Sequence, residues 1–529
     1  MSMVSPHVHR SVLFVSGAIL ASNLLGLFRD AAYGNVWGGD VAFAGFLIAF
    51  AIPNLFRALF GEGAFTSAFV PTFTAKLEKE GRTAAWATAC NAITLMAVVL
   101  GALLLILVPI CLLLRPCFST SPALERALAY LPALMPYALL VCLTAAFSAV
   151  LNAFRRFTIP ALNQIIFNLT TILVTIFVCS RFPGETGIWI LVGTVVATGF
   201  LQVLIQLLAC HAYEKLWFRP RFRPSEPEMR QIAFLIAPVL LSAGVSQINT
   251  SLDRVFSGFL GAPAVTAMYY GQQLIHLPIG LFAIALAQVC LPELSRAWTA
   301  NDRKAIHTTL DFSLRQVLFL TLPATALLAG AGEEVIRILY QSGRFGDSEV
   351  AETAYTLAFF LPAIPAYALL RVVATSFYAR QDTKTPMRVS MYCVALNLFL
   401  NLLLMPFFRQ GGLALATSIA AIANVAVLFL IERRHHPDDL RLPTRPMLEL
   451  LLAAIICGIA IFFTARGLHG MEFLKGCCPK FIPHAKFTAG INLTLALAAG
   501  TVTYLGALAL MGRPELKETL GAFRRRKKS

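Results

Sequence analysis

The chain is predicted to be an all-α polytopic membrane protein, and three observations predict it. It is 58% apolar and only 13% charged, where a soluble domain carries about 25% charged residues. Its apolar residues gather into roughly fourteen stretches of about 20 residues, the length that crosses the hydrocarbon layer as a helix. Its 43 Lys and Arg residues fall mainly in alternate connecting loops. No single soluble core grows to 529 residues on so few charges. Apolar runs this long also exclude a strand barrel, whose spanning segments alternate in polarity. The net charge of +16 is therefore read first as a topology signal, not as a nucleic-acid signal.

The stretches lie near 11–36, 41–60, 86–114, 127–152, 159–180, 186–211, 231–260, 265–290, 312–331, 350–378, 388–407, 411–432, 446–466 and 489–511. The first contains Arg29 and lacks a small-residue cleavage site, so it is read as a retained helix and not a signal peptide. The second is interrupted at Pro53. With the N-terminus in the cytoplasm, cytoplasmic loops and tails collect roughly 28 Lys and Arg, the opposite side roughly 10, and about five remain within helices. LWFRPRFRP, RQDTKTPMR, ERRHH and the terminal RRRKKS supply most of the excess. Both termini are expected on the cytoplasmic side, as an even helix count requires.

A faint internal repeat runs through the chain. LNAFRRFTIP, with Pro160, follows the fourth stretch, and FYARQDTKTP, with Pro386, follows the tenth. FVP at Pro71 and CLP at Pro292 make a second match. The offsets of about 226 and 221 residues correspond to six helices, which implies two six-helix halves in parallel orientation. The expected division is an N-terminal lobe at 1–228, a C-terminal lobe at 229–440, and two further helices with a basic tail at 441–529. Two similar lobes around a central cleft form a transporter architecture.

The sequence holds no phosphate-binding Gly-Lys-Ser/Thr loop, no HExxH and no Ser/His/Asp set, so an enzyme is not expected. Eleven cysteines are scattered without a CxxC pair, most of them as small apolar filler in the stretches. Cys117 lies in a polar loop, and Cys477 and Cys478 are adjacent in another. His276, in QQLIHLP, reads as a packing histidine.

The informative residues are charges where lipid would not tolerate them. Arg29 and Arg57 each lie within an apolar stretch, followed by Asp30 and Glu62. A cation at mid-bilayer costs roughly 2.5–3.5 kcal/mol, so it faces protein or a wet cavity. Local ion pairing and snorkelling are the plainer alternatives. Two guanidinium forks converging from the first two helices suit a diphosphate better than a neutral sugar. The second half has Asp253 and Arg254, whose side chains point about 100° apart on a helix. Arg371 has both a snorkelling and a cavity reading, and Arg315 reads as interfacial. Asn397 and Asn401, four apart, share a helix face. With Thr417 they read as interhelical hydrogen-bonding groups or, with Asp253 added, as an oxygen-lined site for a monovalent cation.

RDAAYGNVWG, PNLFRALFGEGAFTSAFVP, LNAFRRFTIPALN, YYGQQLIHLPIGLFAIALAQVCLPELS and FYARQDTKTP resemble the MurJ (MviN) family of lipid II flippases, within the MOP exporter superfamily. The resemblance runs in order across the first twelve helices. It implies fourteen helices, two six-helix lobes around a cationic cavity, a groove on helices 13 and 14 for the lipid tail, and alternating inward- and outward-open states. The family's cavity arginines match Arg29 and Arg57. Its helix-1 Ser-Arg-x-x-Gly motif matches Ser22, Asn23 and Gly26, so Asn23 replaces an arginine. Its helix-8 Ala-Asp-Arg motif matches Gly271, Gln272 and Gln273, so Gln273 replaces another, and Ala44 stands where the family has a helix-2 aspartate. Arg254, one helix earlier, is the candidate substitute for the lost helix-8 charge. The family's cation site maps to Asp253, Asn397, Asn401, the backbone of Leu413, and Thr417, with Asn401 replacing an acidic residue.

The expectation is a flippase carrying undecaprenyl-diphosphate-linked peptidoglycan precursor from the cytoplasmic to the periplasmic leaflet of a bacterial inner membrane, for cell-wall synthesis. No resident cofactor is expected. Coupling would come from Na⁺, H⁺ or the membrane potential, worth roughly 2.3 kcal/mol per charge per 100 mV. Expected partners are the lipid-linked precursor, membrane lipids and cell-wall synthesis proteins, with no nucleic acid. The rivals are another MOP-type exporter, of a lipid-linked polysaccharide or a cationic drug, and a membrane scaffold for cell-wall enzymes.

Overall fold

The computed structural model describes residues 6–215, 217–435, 444–467, 484–513 and 515, with sixteen α-helices and no strand among them. Two compact units emerge, residues 1–266 with 342–345, and residues 267–341 with 346–529. The Cys477–Cys478 pair and the terminal RRRKKS lie outside the described residues.

The first unit contains α1 (Pro6–Trp37), α2 (Val41–Phe56), α3 (Phe65–Leu114), α4 (Pro122–Ala153), α5 (Thr158–Phe177), α6 (Glu185–Glu214) and α7 (Pro227–Leu260). Asp40 starts α2 by accepting the Ala42 amide at 2.7 Å, one of the four donors that a helix start leaves open. One turn after Pro53 the α-helix gives way to a π-helical stretch, Arg57–Ala64, before α3 begins. α3 is two helices that meet at Gly81, whose φ of +81° suits only a residue without a Cβ. α4 forms the interior of this unit, packed on α2, α3 and α6, and it buries Tyr130, Leu134, Tyr137 and Ala146. The approaches are close enough that a Cβ on Gly45 would lie 2.6 Å from Arg126, and one on Gly199 2.8 Å from Tyr137. Small residues are how helices reach such separations where lipid gives no hydrophobic drive to associate. α7 packs on α2 and α3. The tetrapeptide Ser342–Phe345 belongs to this unit too, with its Arg344 amide on the Asn35 carbonyl at 3.0 Å and its side chain 3.6 Å from Asp40.

The second unit continues from α8 (Ala262–Pro278) through a second π-helical stretch, Ile279–Ile284, into α9 (Ala285–Thr299). Then come α10 (Arg303–Tyr340), α11 (Asp347–Phe360), α12 (Ala363–Ala379), α13 (Lys384–Phe408), α14 (Gln410–His435), α15 (Thr444–Gly467) and α16 (His484–Leu510). α10 is its centre, packed on α9, α12, α15 and α16. Tyr504 on α16 donates to the Phe319 carbonyl on α10 at 3.0 Å. A cavity of about 880 Å³, walled by Leu322, Ala326, Pro365, Leu369, Ile455 and Phe462 among others, opens between α10, α12, α14 and α15. A smaller one of about 330 Å³ lies between α10, α15 and α16. The larger cavity is walled by α15 with three earlier helices, and α16 lines the smaller one.

The fourteen expected stretches lie on helical segments, but 41–60 and 265–290 each run into a π-helical stretch and 350–378 is divided between α11 and α12. Among the described residues ten helices are long and apolar enough to cross a membrane, or eleven if α11 and α12, bent by 43°, form one span. One of the ten is the 78-residue run Val41–Phe118, which covers two expected stretches. α1 and α7, part of whose side chains lie outside those described, are outside the ten.

Candidate substrate-binding site

Arg29 sits two turns before the end of α1, and its environment is built by three elements. Its Nε and Nη2 donate to Asp30 Oδ1 at 3.0 and 2.7 Å. Its Nη1 donates to Asn168 Oδ1 on α5 at 3.1 Å. Asn168 in turn donates to the Ser22 carbonyl at 2.9 Å, so its amide is oriented from the previous turns of α1. The guanidinium carbon lies 5.6 Å from the Tyr33 ring centre and 6.0 Å from that of Phe167. Neighbouring positions on a helix face different ways, but the arginine side chain is long enough to fold back onto Asp30. Local ion pairing, one of the sequence-level alternatives, is therefore present. Asp30 is fully buried, whereas the Arg29 side chain keeps 14% of its surface open. Asp30 and Asn168 together engage all three guanidinium nitrogens.

Arg57 opens the π-helical stretch and donates through Nε to Asn54 Oδ1 at 2.9 Å. A π-turn inserts one residue into an α-helix and is frequent at functional sites. Tyr137 on α4 is within electrostatic reach of both Arg57 and Arg29. Its ring stacks with Phe50 and Phe167 at 6.0 and 5.7 Å, which makes an aromatic wall beside the two cations. The backbone of Glu62 lies in the same π-stretch, while its side chain is outside the described residues.

Arg254 and Asp253 belong to this unit as well, on α7. Asp253 is buried at 2% exposure and Arg254 is half-buried. α7 is pinned just beyond them: Ser121 donates to the Gly258 carbonyl at 2.7 Å, and a Cβ on Gly258 would stand 2.7 Å from Leu124. Arg29, Arg57 and Arg254 thus share one compact unit. Ser22 is buried at 7% exposure and Asn23 is exposed.

In the second unit Gln272 and Gln273 are half-buried on α8. Asn401 donates to Asn397 at 2.9 Å, and Asn397 donates to Thr417 at 3.2 Å. All three are buried, as is Leu413. Interhelical hydrogen bonding, one of the two readings of these amides, is thus present between α13 and α14. Asp253 belongs to the first unit. Arg315 pairs with Asp311 at 2.8 Å and Glu515 at 3.5 Å, Arg371 is exposed, and His276 is exposed where packing was expected.

Sequence reasoning passed over Asn168 and Asn54, the two amides that aim the arginines. The signal was available, since Asn168 is a lone amide in the apolar run IIFNL. Tyr137 carried no such mark.

A helical, multi-span chain with arginines held inside its first compact unit has the make-up of a membrane transporter. The chain belongs to the lipid II flippase MurJ family, whose sequence profile matches residues 34–477. It is 32% identical over 472 residues to a probable lipid II flippase MurJ of Rhizobium tropici, covering 86% of this chain and 87% of that one. It is 31% identical over 522 residues to the Vibrio cholerae counterpart, covering 96% and 97%. The fold is similar to that of a solved lipid II flippase MurJ in an inward closed conformation, with TM-score 0.74 and 23% identity over 95% of this chain and 99% of that one. It is also similar to an inward-facing multidrug resistance MATE family transporter of the MOP superfamily, with TM-score 0.64 and 14% identity over 80% and 98%. The chain is thus a multi-pass membrane protein of a flippase family.

Proposed function

We propose that this protein flips lipid II from the cytoplasmic to the periplasmic leaflet of the bacterial inner membrane by alternating access, with both termini in the cytoplasm. Arg29 and Arg57 bind the diphosphate and Arg254 assists. The observation that carries the reading is the mounting of Arg29, oriented by Asp30 on one side and Asn168 on the other while its side chain keeps 14% of its surface exposed. A preoriented guanidinium away from bulk water is a strong diphosphate ligand. The apolar cavity on α10, α12, α14 and α15 is of a size to take part of a polyprenyl chain. Asn397, Asn401, Leu413 and Thr417 supply oxygens for a coupling cation, Na⁺ or H⁺, and the membrane potential helps to reset the unloaded cationic site. Depleting the protein should lower lipid II accessibility on the outer leaflet; unchanged accessibility would overturn the proposal. Arg254→Ala should abolish complementation of a flippase-deficient strain while the protein remains in the membrane.

A further inference from the structure

The segment between α6 and α7 does not hang free. It is laid along the start of the membrane-crossing part of α3 and fastened at alternate residues. Trp86 Nε1 donates to the Trp217 carbonyl at 2.9 Å. The Arg219 backbone lies beside Cys90, and the Arg221 amide donates to Thr94 Oγ1 at 3.1 Å. Asn91, fully buried, takes the Arg223 amide at 2.8 Å and returns a bond to the Arg223 carbonyl at 2.9 Å. Residues preceding proline are held extended, and Arg219 and Arg223 precede Pro220 and Pro224. Four residues of extended chain span at most about 14 Å, so three guanidiniums are carried on a short, fixed strap.

The backbone is spent on α3, which leaves the side chains outward. Trp217, Arg219, Phe222 and Arg223 are exposed, and Arg221 is half-buried. Arg82 and Arg156 nearby are committed to Glu214, at 3.3 and 3.6 Å. Arg223 has Glu226 at 3.8 Å, whereas Arg219 and Arg221 have no carboxylate within 4.0 Å among the described residues. The level in the bilayer follows from α3 itself. One turn beyond Thr94, it exposes Val98 and Val99, and then Leu105 and Ile106, the surface expected against hydrocarbon. The strap therefore lies at head-group depth, with an indole and a phenyl ring beside its cations, the side chains that settle at that interface.

We infer that this strap is a binding site for the phosphate groups of anionic phospholipids in the cytoplasmic leaflet. A soluble anion would need the arginines but not exposed Trp217 and Phe222, and a soluble partner would have to displace lipid from the same level. The inference does not depend on what the protein transports.

The test uses the purified full chain in detergent, titrated with short-chain phosphatidylglycerol, phosphatidylcholine or inorganic phosphate, with thermal unfolding as readout. A ligand that binds only the folded chain raises the melting temperature with its concentration. Phosphatidylglycerol should raise it, and phosphatidylcholine and phosphate should not. R219Q/R221Q/R223Q should lose more than half of that rise, while R115Q/R126Q/R181Q, a matched charge removal elsewhere, should keep it. Should the strap triple variant fail to fold, R219Q/R221Q and R223Q made separately carry the same comparison. An unchanged phosphatidylglycerol effect in the strap variants overturns the inference. An equal effect of inorganic phosphate overturns the assignment to lipid.

Discussion

Arg29 and Asp30 are one functional piece, and each exposes the other to a different penalty. Removing Arg29 takes its 2.7 Å ion pair from a fully buried carboxylate, a change that costs about 3–5 kcal/mol. Arg29→Ala should therefore lower both transport and stability. Arg29→Ala combined with Asp30→Asn should recover the melting temperature without recovering transport. If the double variant transports lipid II, the guanidinium is not a ligand. Asn168→Ala removes a charge-assisted bond worth about 1.5–3 kcal/mol and leaves the Asp30 pair intact. It should reduce the transport rate several-fold at near-normal protein levels, measured by outer-leaflet lipid II. The arginines were legible in the sequence because a cation inside an apolar run has few physical explanations. Their holders were less so, because an isolated amide in such a run serves helix packing just as well.

At the scale of elements, the apolar runs located the helices and the prolines located their faults. The type of fault was not legible. Pro53 removes a donor and predicts a break, but whether the chain answers with a bend or with a π-turn depends on the groups packed around it. The interior order of helices, with α4 central, comes from close approaches at Gly45 and Gly199 that composition does not mark. Gly258→Val should press on Leu124 and Ile48 and cost about 1–3 kcal/mol, read as a lower melting temperature. Asp382, in the loop before α13, accepts the Thr385 amide at 3.0 Å. Burial acts to raise its carboxyl, but the hydrogen bonds from Thr385 and Lys384 outweigh it and hold the group below its ordinary value. A depressed carboxyl stabilises the fold above its unfolded pKa of about 3.9, and that contribution is lost as pH falls through the folded value. Asp382→Ala should thus lower stability by about 1 kcal/mol near neutral pH, and the gap from the parent should close in strong acid.

At the scale of the whole molecule, the count of Lys and Arg by loop predicts the connection between α3 and α4 on the periplasmic side. Cys117 is exposed there, and the other described cysteines are buried. In a background lacking Cys477 and Cys478, a membrane-impermeant thiol reagent should label Cys117 in intact spheroplasts. Labelling only after permeabilisation would invert the orientation. In the second unit Arg380 meets Glu432 through both guanidinium nitrogens, one at 2.9 Å, and lies 4.9 Å from the Trp298 ring centre. The Glu432 side chain is fully buried. Arg380→Ala should therefore cost about 3–5 kcal/mol, and the double change with Glu432→Gln should cost less.

The two π-helical stretches occupy matching places, each following a proline near the end of an even-numbered helix, Pro53 in α2 and Pro278 in α8. Each holds a surplus residue in its winding. Passing that surplus one turn along, as a wrinkle moves along a carpet, turns the intervening segment by about 100° and advances it about 1.5 Å without melting the helix. Arg57 stands at the head of the first such wrinkle. Such a displacement would swing a guanidinium so placed through about a quarter of a circle for the loss of a few backbone hydrogen bonds.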